Sequence, residues 1–234
     1  MRRIFLYIYL ILYATALVGA NDTLTIGSGA EGKGYYNLAL SIKKVLEDNN
    51  FSKNIIVKAT NGSANNLEFL QKGEIELAII QSDTAFYAQN GLNKFRSNPI
   101  TNISTVIDFY QEPIYIVTNK EDIHSLEALK NLNVNFGLLN SGLAESAKVI
   151  FNAEGILDSI YATHQPENDA IKSLEEGNLN AFLTNAITPE VQKKLKEKNL
   201  FLVPVREAII DSLNKTYGCF FRYKYKIDKL NSIP

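Results

Sequence analysis

The sequence predicts an α/β protein of two lobes with a cleft between them. Strand-like apolar runs alternate with stretches of helical periodicity along most of the chain. Small polar turns rich in glycine, serine and asparagine follow several of the strands. The alternation is interrupted at Tyr110–Pro113 and then begins again, which is typical of two α/β units joined by a crossing segment. With a return crossing near Pro204, we assign residues 21–111 plus 206–234 to lobe I and residues 112–205 to lobe II.

The first unit is a glycine-rich turn that joins a strand to a helix. The apolar residues Leu24 and Ile26 precede the stretch GSGAEGKGYY, and the apolar positions that follow have helical spacing. We therefore predict a strand that ends at Gly27 and a helix over Gly34–Asp48. A helix that begins after such a turn presents free backbone N–H groups at the positive end of its dipole, so the turn is suited to bind an anion.

Three further polar turns follow predicted strands. Asn61-Gly62-Ser63 leads into a helix whose start we place at Asn65, because Asn65 and Glu68 have the spacing of a capping box. Gln81-Ser82-Asp83 precedes a third helix, and Leu139-Asn140-Ser141-Gly142 is the corresponding turn of lobe II. If the strands are parallel, these turns lie at their carboxyl ends, where open α/β sheets bind ligands.

The remaining elements are predicted from apolar periodicity and from the positions of glycine and proline. We expect strands at Asn54–Thr60, Glu76–Gln81, Ile103–Phe109, Ile114–Thr118, Leu132–Leu138, Tyr161–Thr163, Leu179–Leu183 and Phe201–Val205. We expect helices at Asp83–Gln89, Ser125–Lys130, Leu143–Ala153, Asn168–Glu176 and Pro189–Lys198. Aromatic and basic residues alternate over Phe220–Lys226, which indicates a final strand with one apolar side.

The composition is that of a globular protein, because 46% of its 234 residues are hydrophobic and 21% are charged. The net charge is −1 and no basic patch interleaves with aromatic residues, so nothing favours nucleic-acid binding. His124 and His164 stand apart without metal-ligand spacing, and no nucleophile elbow is present. Asp83 and Glu112 could form a carboxylate pair, but nothing in the sequence places them together. The single cysteine, Cys219, cannot form an internal disulfide. We expect no metal, no cofactor and no enzymatic activity.

Residues 1–20 have the pattern of a secretory signal peptide. Arg2 and Arg3 form a basic start, the apolar run Ile4–Val18 follows, and small residues lead up to Ala20. We expect cleavage after Ala20 and a mature protein outside the cytoplasm. An uncleaved membrane anchor is the alternative, although the apolar run is short for a membrane-spanning helix.

A dinucleotide-binding enzyme is the main competing interpretation of the first turn. The stretch Gly27–Gly32 matches G-x-G-x-x-G between a strand and a helix. The fingerprint also requires an acidic residue about 20 residues further on, at the end of the second strand. The stretch Val57–Asn61 contains no acidic residue. A secreted protein would also have little access to NAD, so an oxidoreductase is kept only as a minor alternative.

Several motifs, in order along the chain, resemble the TAXI family of solute receptors, which serve TRAP-type transporters. Ile26–Tyr36 is similar to the family's IGTGSTGGTYY opening, and Gly62–Leu67 is similar to its GGSVENL turn. Gly73–Asp83 resembles its GEADLALVQSD segment and ends in the same QSD. Leu126–Gly137 is similar to a further stretch of the family, and the resemblance covers Thr23–Pro204.

The resemblance implies a periplasmic binding protein of type II, whose lobes close on a ligand in the cleft between them. The implied ligand is a small organic anion, either glutamate or another carboxylate. The implied partners are the permease subunits of a TRAP-type secondary transporter, and we expect a periplasmic monomer. The turns and the resemblance together place eight residues in the ligand site: Ser28, Tyr36, Ser63, Asn66, Gln81, Asp83, Ser141 and Gly142.

The length of the chain gives a further alternative. Members of the resembled family continue beyond the point that matches Pro234, in a part that normally completes lobe I. We therefore expect lobe I to be short at its C-terminus and the free protein to be weakly stable. A truncated, exported antigen of the same fold, without a transport role, is the alternative function.

Overall fold

The computed structural model describes residues 23–197 and 199–222, which form two β-sheets with helices packed against them. The predicted signal peptide lies outside the described residues. The strands are β1 (Thr23–Gly27), β2 (Asn54–Lys58), β3 (Leu77–Ala78), β4 (Tyr115–Thr118), β5 (Asn133–Asn135), β6 (Tyr161–Thr163), β7 (Ala181–Thr184) and β8 (Phe201–Leu202). The helices are α1 (Gly34–Asp48), α2 (Ser63–Lys72), α3 (Ser82–Gln89), α4 (Gly142–Ala153), α5 (Glu167–Glu175), α6 (Pro189–Lys196) and α7 (Glu207–Tyr217).

The smaller sheet has the strand order β2-β1-β3, and its strands are parallel, which is the condition for the turns to lie at one edge. Ile26 and Ile55 are buried in a core that also contains Ala39 of α1. In the register of the sheet, Gly27 lies beside Lys58 on one side and beside Ala78 on the other. The three turns that follow these strands therefore begin at one edge of the sheet, which brings them close to each other.

The larger sheet has the order β6-β5-β7-β4-β8 and mixes strand directions. Strand β5 is parallel to β6 and β7, whereas β4 is antiparallel to β7 and β8. Val117 and Phe182 are fully buried in a core shared with Ala170 of α5 and Val191 of α6. The turn that follows β5 leads into α4, so this sheet also presents a turn and a helix N-terminus at a strand end.

Helix α4 packs through an apolar core against α2, α3 and the larger sheet. Eight of its 12 residues are buried, as expected for a helix packed on several sides. One continuous cluster contains Leu67 of α2, Tyr87 of α3, Phe151 of α4 and Val134 of β5. The elements on both sides of the predicted crossing are therefore in direct contact along α4.

The strand predicted at Ile103–Phe109 is not formed. This segment has no strand partner among the described residues, and Val106 is 80% exposed and Ile107 63% exposed. β-branched residues favour strands because they pack on a pleated surface beside neighbouring strands, and without a neighbour that preference is not realised. The segment instead crosses between the two sheets in an irregular conformation.

Two helix starts differ from prediction. Helix α2 begins at Ser63, with Gly62 as its N-cap and no side-chain capping bond, so the capping box predicted for Asn65 and Glu68 is wrong. The Asn65 side chain lies inside the first turn and accepts the Asn61 N–H at 3.3 Å. The helix predicted over Ser125–Lys130 is only a short 3-10 turn over Glu127–Leu129.

Helix α7 was not predicted, although its sequence has a clear apolar face. It follows Arg206, whose guanidinium binds Glu154 at the end of α4 at 2.6 Å. At its other end, the ring of Tyr217 packs edge-on against Tyr87 of α3 at 5.3 Å between ring centres. Helix α7 thus contacts elements from both predicted lobes, and the lobe boundaries stay a prediction. Of the final strand expected over Phe220–Lys226, the residues described up to Arg222 are not in a strand, and the rest lies outside the described residues.

Candidate functional site

The carboxyl ends of β1, β2 and β3 are tied together by Ser28 and Asn66, which are both fully buried. The Ser28 hydroxyl donates to the Lys58 carbonyl at 2.8 Å. The Asn66 amide donates to the carbonyl of Ser28 at 2.7 Å and to that of Ile79 at 2.9 Å. A Cβ at Gly27 would lie 2.8 Å from Asn66 Oδ1, so a glycine is needed there for Asn66 to fit. The donors of these two predicted ligand-site residues are thus engaged in holding the turns together.

Ser63 and Gln81 connect the second and third turns. Gln81 is the N-cap of α3, and its backbone N–H donates to the Ser63 hydroxyl oxygen at 2.9 Å. Ser63 therefore does not cap its own helix. The Ser63 hydroxyl also lies near enough to the Tyr35 hydroxyl to lower the pKa of that group, in opposition to burial. Ser63 is 1% exposed, so its hydroxyl lies in a buried polar junction between three elements.

The turn before α4 closes directly onto this junction. A Cβ at Gly142 would lie 1.7 Å from Gln81 Oε1 and 2.7 Å from Ser63 Oγ, so only a glycine leaves room for the observed contact. Beside it, the Asn65 N–H donates to the Asn140 carbonyl at 3.0 Å. The predicted sites on the two sides of the cleft are therefore brought together.

Ser141 has a structural role at the start of α4. Its hydroxyl accepts the Ala144 N–H at 3.1 Å, which is the usual arrangement of a serine N-cap. The capping bond fixes the direction in which α4 leaves the turn. Since Gly142 is the first residue of that helix, the cap also holds Gly142 against the opposite side of the cleft.

Two carboxylates lie at the same place, on α3 and on the crossing segment. Asp83 is 7% exposed, and its Oδ2 accepts the Ser146 hydroxyl at 2.5 Å while its Oδ1 accepts the Thr84 N–H at 2.6 Å. Glu112 is half-buried, and its Oε2 accepts the Tyr35 hydroxyl at 2.8 Å. Nothing in the sequence places these two carboxylates together, but in the fold Asp83 is close enough for its charge to act on Glu112.

The electrostatic environment of the pair disfavours negative charge. Burial raises the pKa of Asp83, and the hydrogen bonds from Ser146 and Thr84 offset only part of that effect. Burial also raises the pKa of Glu112, and the nearby charge of Asp83 raises it further. The side chains of Tyr35 and Gln81 lower this pKa but do not cancel the rise. Burial, followed by the charge of Glu112, raises the pKa of Tyr35 above its ordinary value, so its hydroxyl stays protonated as a donor.

We expect these raised pKa values to make the free protein less stable as the pH rises. Between the pKa of an unfolded carboxyl, near 4, and the higher folded-state pKa, the folded state binds more protons than the unfolded state. Raising the pH through this window therefore favours unfolding, by up to about 1.4 kcal/mol per pH unit for each such group. Urea unfolding of the wild type and of Glu112→Gln from about pH 4 to pH 8 measures the effect. The wild type should lose stability relative to the variant as the pH rises, and a constant difference would show that Glu112 is unperturbed.

Tyr35 and Glu112 are site residues that the sequence analysis did not select. The helical pattern assigned Tyr35 to the apolar face of α1, and the predicted ligand residue was its neighbour Tyr36, which is half-buried in the structure. Glu112 directly precedes Pro113 at the predicted crossing. A crossing segment between lobes passes the mouth of the cleft. The location of Glu112 in that segment was the one feature of the sequence that indicated a role at the site.

Two further observations concern membrane-spanning helices and metal sites. Over residues 23–197 and 199–222, no helix has the length and apolarity required to cross a bilayer. Over the same ranges, no group of three or more His, Cys, Asp or Glu side chains is arranged to hold a metal ion.

The sequence profile of the NMT1-like family matches residues 26–228 of the chain. Among solved structures, the chain is similar to the periplasmic aliphatic sulphonate binding protein SsuA from Escherichia coli, with 19% identity and a TM-score of 0.50. The match covers 78% of this chain and 56% of that protein, so the chain spans little more than half the length of this relative.

Two other structures extend the comparison. PhnD1 from Prochlorococcus marinus, solved with methylphosphonate, is 18% identical with a TM-score of 0.54, over 79% of this chain and 72% of that one. The substrate binding protein of an amino acid ABC transporter is 11% identical with a TM-score of 0.50, over 85% of this chain and 95% of that one. These likenesses show the fold, which is the two-lobed α/β fold of type II periplasmic binding proteins with a cleft between the lobes, as predicted.

Proposed function

The chain belongs to the NMT1-like family, and from this premise we propose that it is an extracytoplasmic receptor for a small organic acid, glutamate or another carboxylate, which it delivers to a TRAP-type permease. The observation that carries the proposal is the contact of Gly142 with Ser63 and Gln81 across the cleft. In a two-lobed receptor, a ligand is held where the two sides meet. The proposed activity is binding and delivery, with no chemical step.

Closure of the lobes is the proposed mechanism of capture. The crossing segment before β4 and the chain after β8 would act as hinges, because a few residues there can absorb the change in backbone angles. Helices α2, α3 and α4 all begin at the junction of the cleft. Their N-termini supply N–H groups and positive dipole ends that suit the carboxylate of a ligand.

Ser63 should matter for ligand binding and Ser28 for stability. The Ser63 hydroxyl lies at the junction of the cleft, whereas Ser28 is bonded to Lys58 beneath it. Losing one hydrogen bond to a charged ligand costs about 1.5–3 kcal/mol, so Ser63→Ala should weaken binding by roughly ten- to a hundredfold. Ser28→Ala should instead lower the unfolding temperature with little effect on affinity. Both variants are tested by calorimetric titration with L-glutamate and by thermal unfolding. Equal affinity in Ser63→Ala and the wild type would exclude Ser63 from the site.

The TRAP-type partner rests on the motif resemblance, and an ABC-type importer is the second candidate. Its support is the similarity in fold to SsuA and to the binding protein of an amino acid ABC transporter. Uptake of radiolabelled ligand into membrane vesicles that contain the cognate permease distinguishes the two. A secondary transporter requires an ion gradient, so uptake that persists without ATP and stops when the gradient is collapsed supports the TRAP-type partner. Uptake that requires ATP and tolerates collapse of the gradient supports the ABC-type importer.

A further inference from the structure

We propose that Glu112 determines ligand specificity by binding a protonated amine, so that the cleft accepts amino acids and discriminates against organic acids that lack an amine. This inference rests on the proposed receptor function and names the ligand class of the same cleft. It assigns a role to a residue of the crossing segment, which lies outside all of the predicted binding turns.

Glu112 lies at the cleft, beside residues of the predicted turns. Its carboxylate accepts the Tyr35 hydroxyl at 2.8 Å, and the Gln81 side chain lies near enough to offset part of the rise in its pKa. Gln81 in turn is the side chain that meets Gly142 on the opposite side. A ligand group that enters between Gln81 and Gly142 would therefore come directly beside the Glu112 carboxylate.

The balance of charge around the cleft also favours a cationic group on the ligand. Asp83 is close enough for its charge to act on Glu112, so two carboxylates face the same region. Among the described residues, the partners of these two carboxylates are hydroxyl, amide and backbone N–H groups, and none of these partners carries a positive charge. Lys94, which reaches the same turn of lobe II, is already bonded to Glu68 and Asn140.

These charges set a requirement for the ligand. A dicarboxylate placed against Glu112 and Asp83 would add negative charge where two carboxylates are already buried, which is unfavourable at short distance. A protonated amine would instead pair with Glu112 and donate hydrogen bonds to it. The N–H groups at the starts of α2, α3 and α4 can then hold the ligand's carboxylate. An amino acid satisfies both sides of the cleft at once.

The requirement is tested by comparing L-glutamate with glutarate, which is the same dicarboxylate without its amine. Calorimetric titration of the wild-type protein near pH 7 should give a dissociation constant for L-glutamate at least roughly tenfold lower than for glutarate, because a hydrogen bond to a charged group is worth about 1.5–3 kcal/mol. Glu112→Gln should lose this preference. The control Glu121→Gln, an exposed residue nearby in the sequence, should retain it.

The outcomes separate this inference from the receptor function. Equal affinity of the wild type for L-glutamate and glutarate, or tighter binding of glutarate, overturns the role of Glu112 and leaves the receptor intact. A preference for L-glutamate that survives in a folded Glu112→Gln also overturns it. Heat from neither compound overturns the proposed carboxylate receptor together with the ligand class. The wild-type comparison needs no variant, so it decides the matter even if Glu112→Gln does not fold.

Discussion

Gly142→Val is expected to abolish ligand binding while leaving the protein folded. A Cβ at this position would lie 1.7 Å from Gln81 Oε1 and 2.7 Å from Ser63 Oγ, so the valine side chain would occupy the space where the two sides of the cleft meet. The backbone of Gly142 is not in the left-handed region, and therefore valine can adopt it without strain. Under the proposed closure mechanism, the lobes of the free receptor would be apart and the overlap would be relieved, whereas in the closed form it would remain.

The expected loss of affinity is more than about a hundredfold, because at least two hydrogen bonds to a charged ligand, each worth about 1.5–3 kcal/mol, depend on closure. Gly34→Val is the matched control. Gly34 is also the first residue of a helix, and a Cβ there would meet no atom within 4 Å. Titration with L-glutamate should show binding in the control and none in Gly142→Val. Equal affinities in the two variants would mean that the contact at Gly142 is not part of the ligand-bound form.

Asn66→Ala is expected to destabilise the protein by about 2–4 kcal/mol, with or without ligand. The substitution removes the donor from two buried carbonyls, those of Ser28 and Ile79, and an unsatisfied buried acceptor costs about 1–3 kcal/mol. A domain of this kind has only about 5–15 kcal/mol of total stability, so the loss is large. The loss of unfolding free energy should be the same with and without ligand, because the Asn66 amide lies beneath the cleft.

Asn65→Ala is the control for this prediction, since it changes the same residue type one position earlier in the same helix. The Asn65 side chain accepts only the exposed Asn61 N–H at 3.3 Å. Urea unfolding of both variants should give a difference in unfolding free energy of about 2 kcal/mol or more. Similar unfolding free energies for the two variants would contradict the structural role assigned to Asn66.

Local patterns predicted most of the architecture. The alternation of strands and helices and the turns at strand ends follow from residue periodicity and from the positions of glycine, and these elements are present. Ile103–Phe109 shows the limit of such patterns, because its β-branched residues favour a strand but strand formation also requires a neighbour. Helix α7 was not predicted, although the helical spacing of its apolar residues is itself a local pattern.

The candidate site depended on tertiary contacts that no local pattern encodes. Asp83 and Glu112 are 29 positions apart on different elements, and only the fold brings them together. Ser28 and Asn66 have residue types that suit ligand binding, yet their donors bond to backbone carbonyls. Hydrogen-bonding capacity can be recognised in a sequence, whereas the partner of each donor is set by the packing of the turns.

Direct measurement of solute binding tests the central claim that the chain is a receptor with its ligand site at Gly142. The wild type and Gly142→Val are titrated calorimetrically with L-glutamate, glutarate, methylphosphonate and an alkanesulfonate. We expect L-glutamate to bind the wild type with 1:1 stoichiometry and a dissociation constant of about 1 μM or below, near −8 kcal/mol, and we expect no binding to Gly142→Val. Absence of heat with all four solutes, or binding that is unchanged in Gly142→Val, would contradict the account.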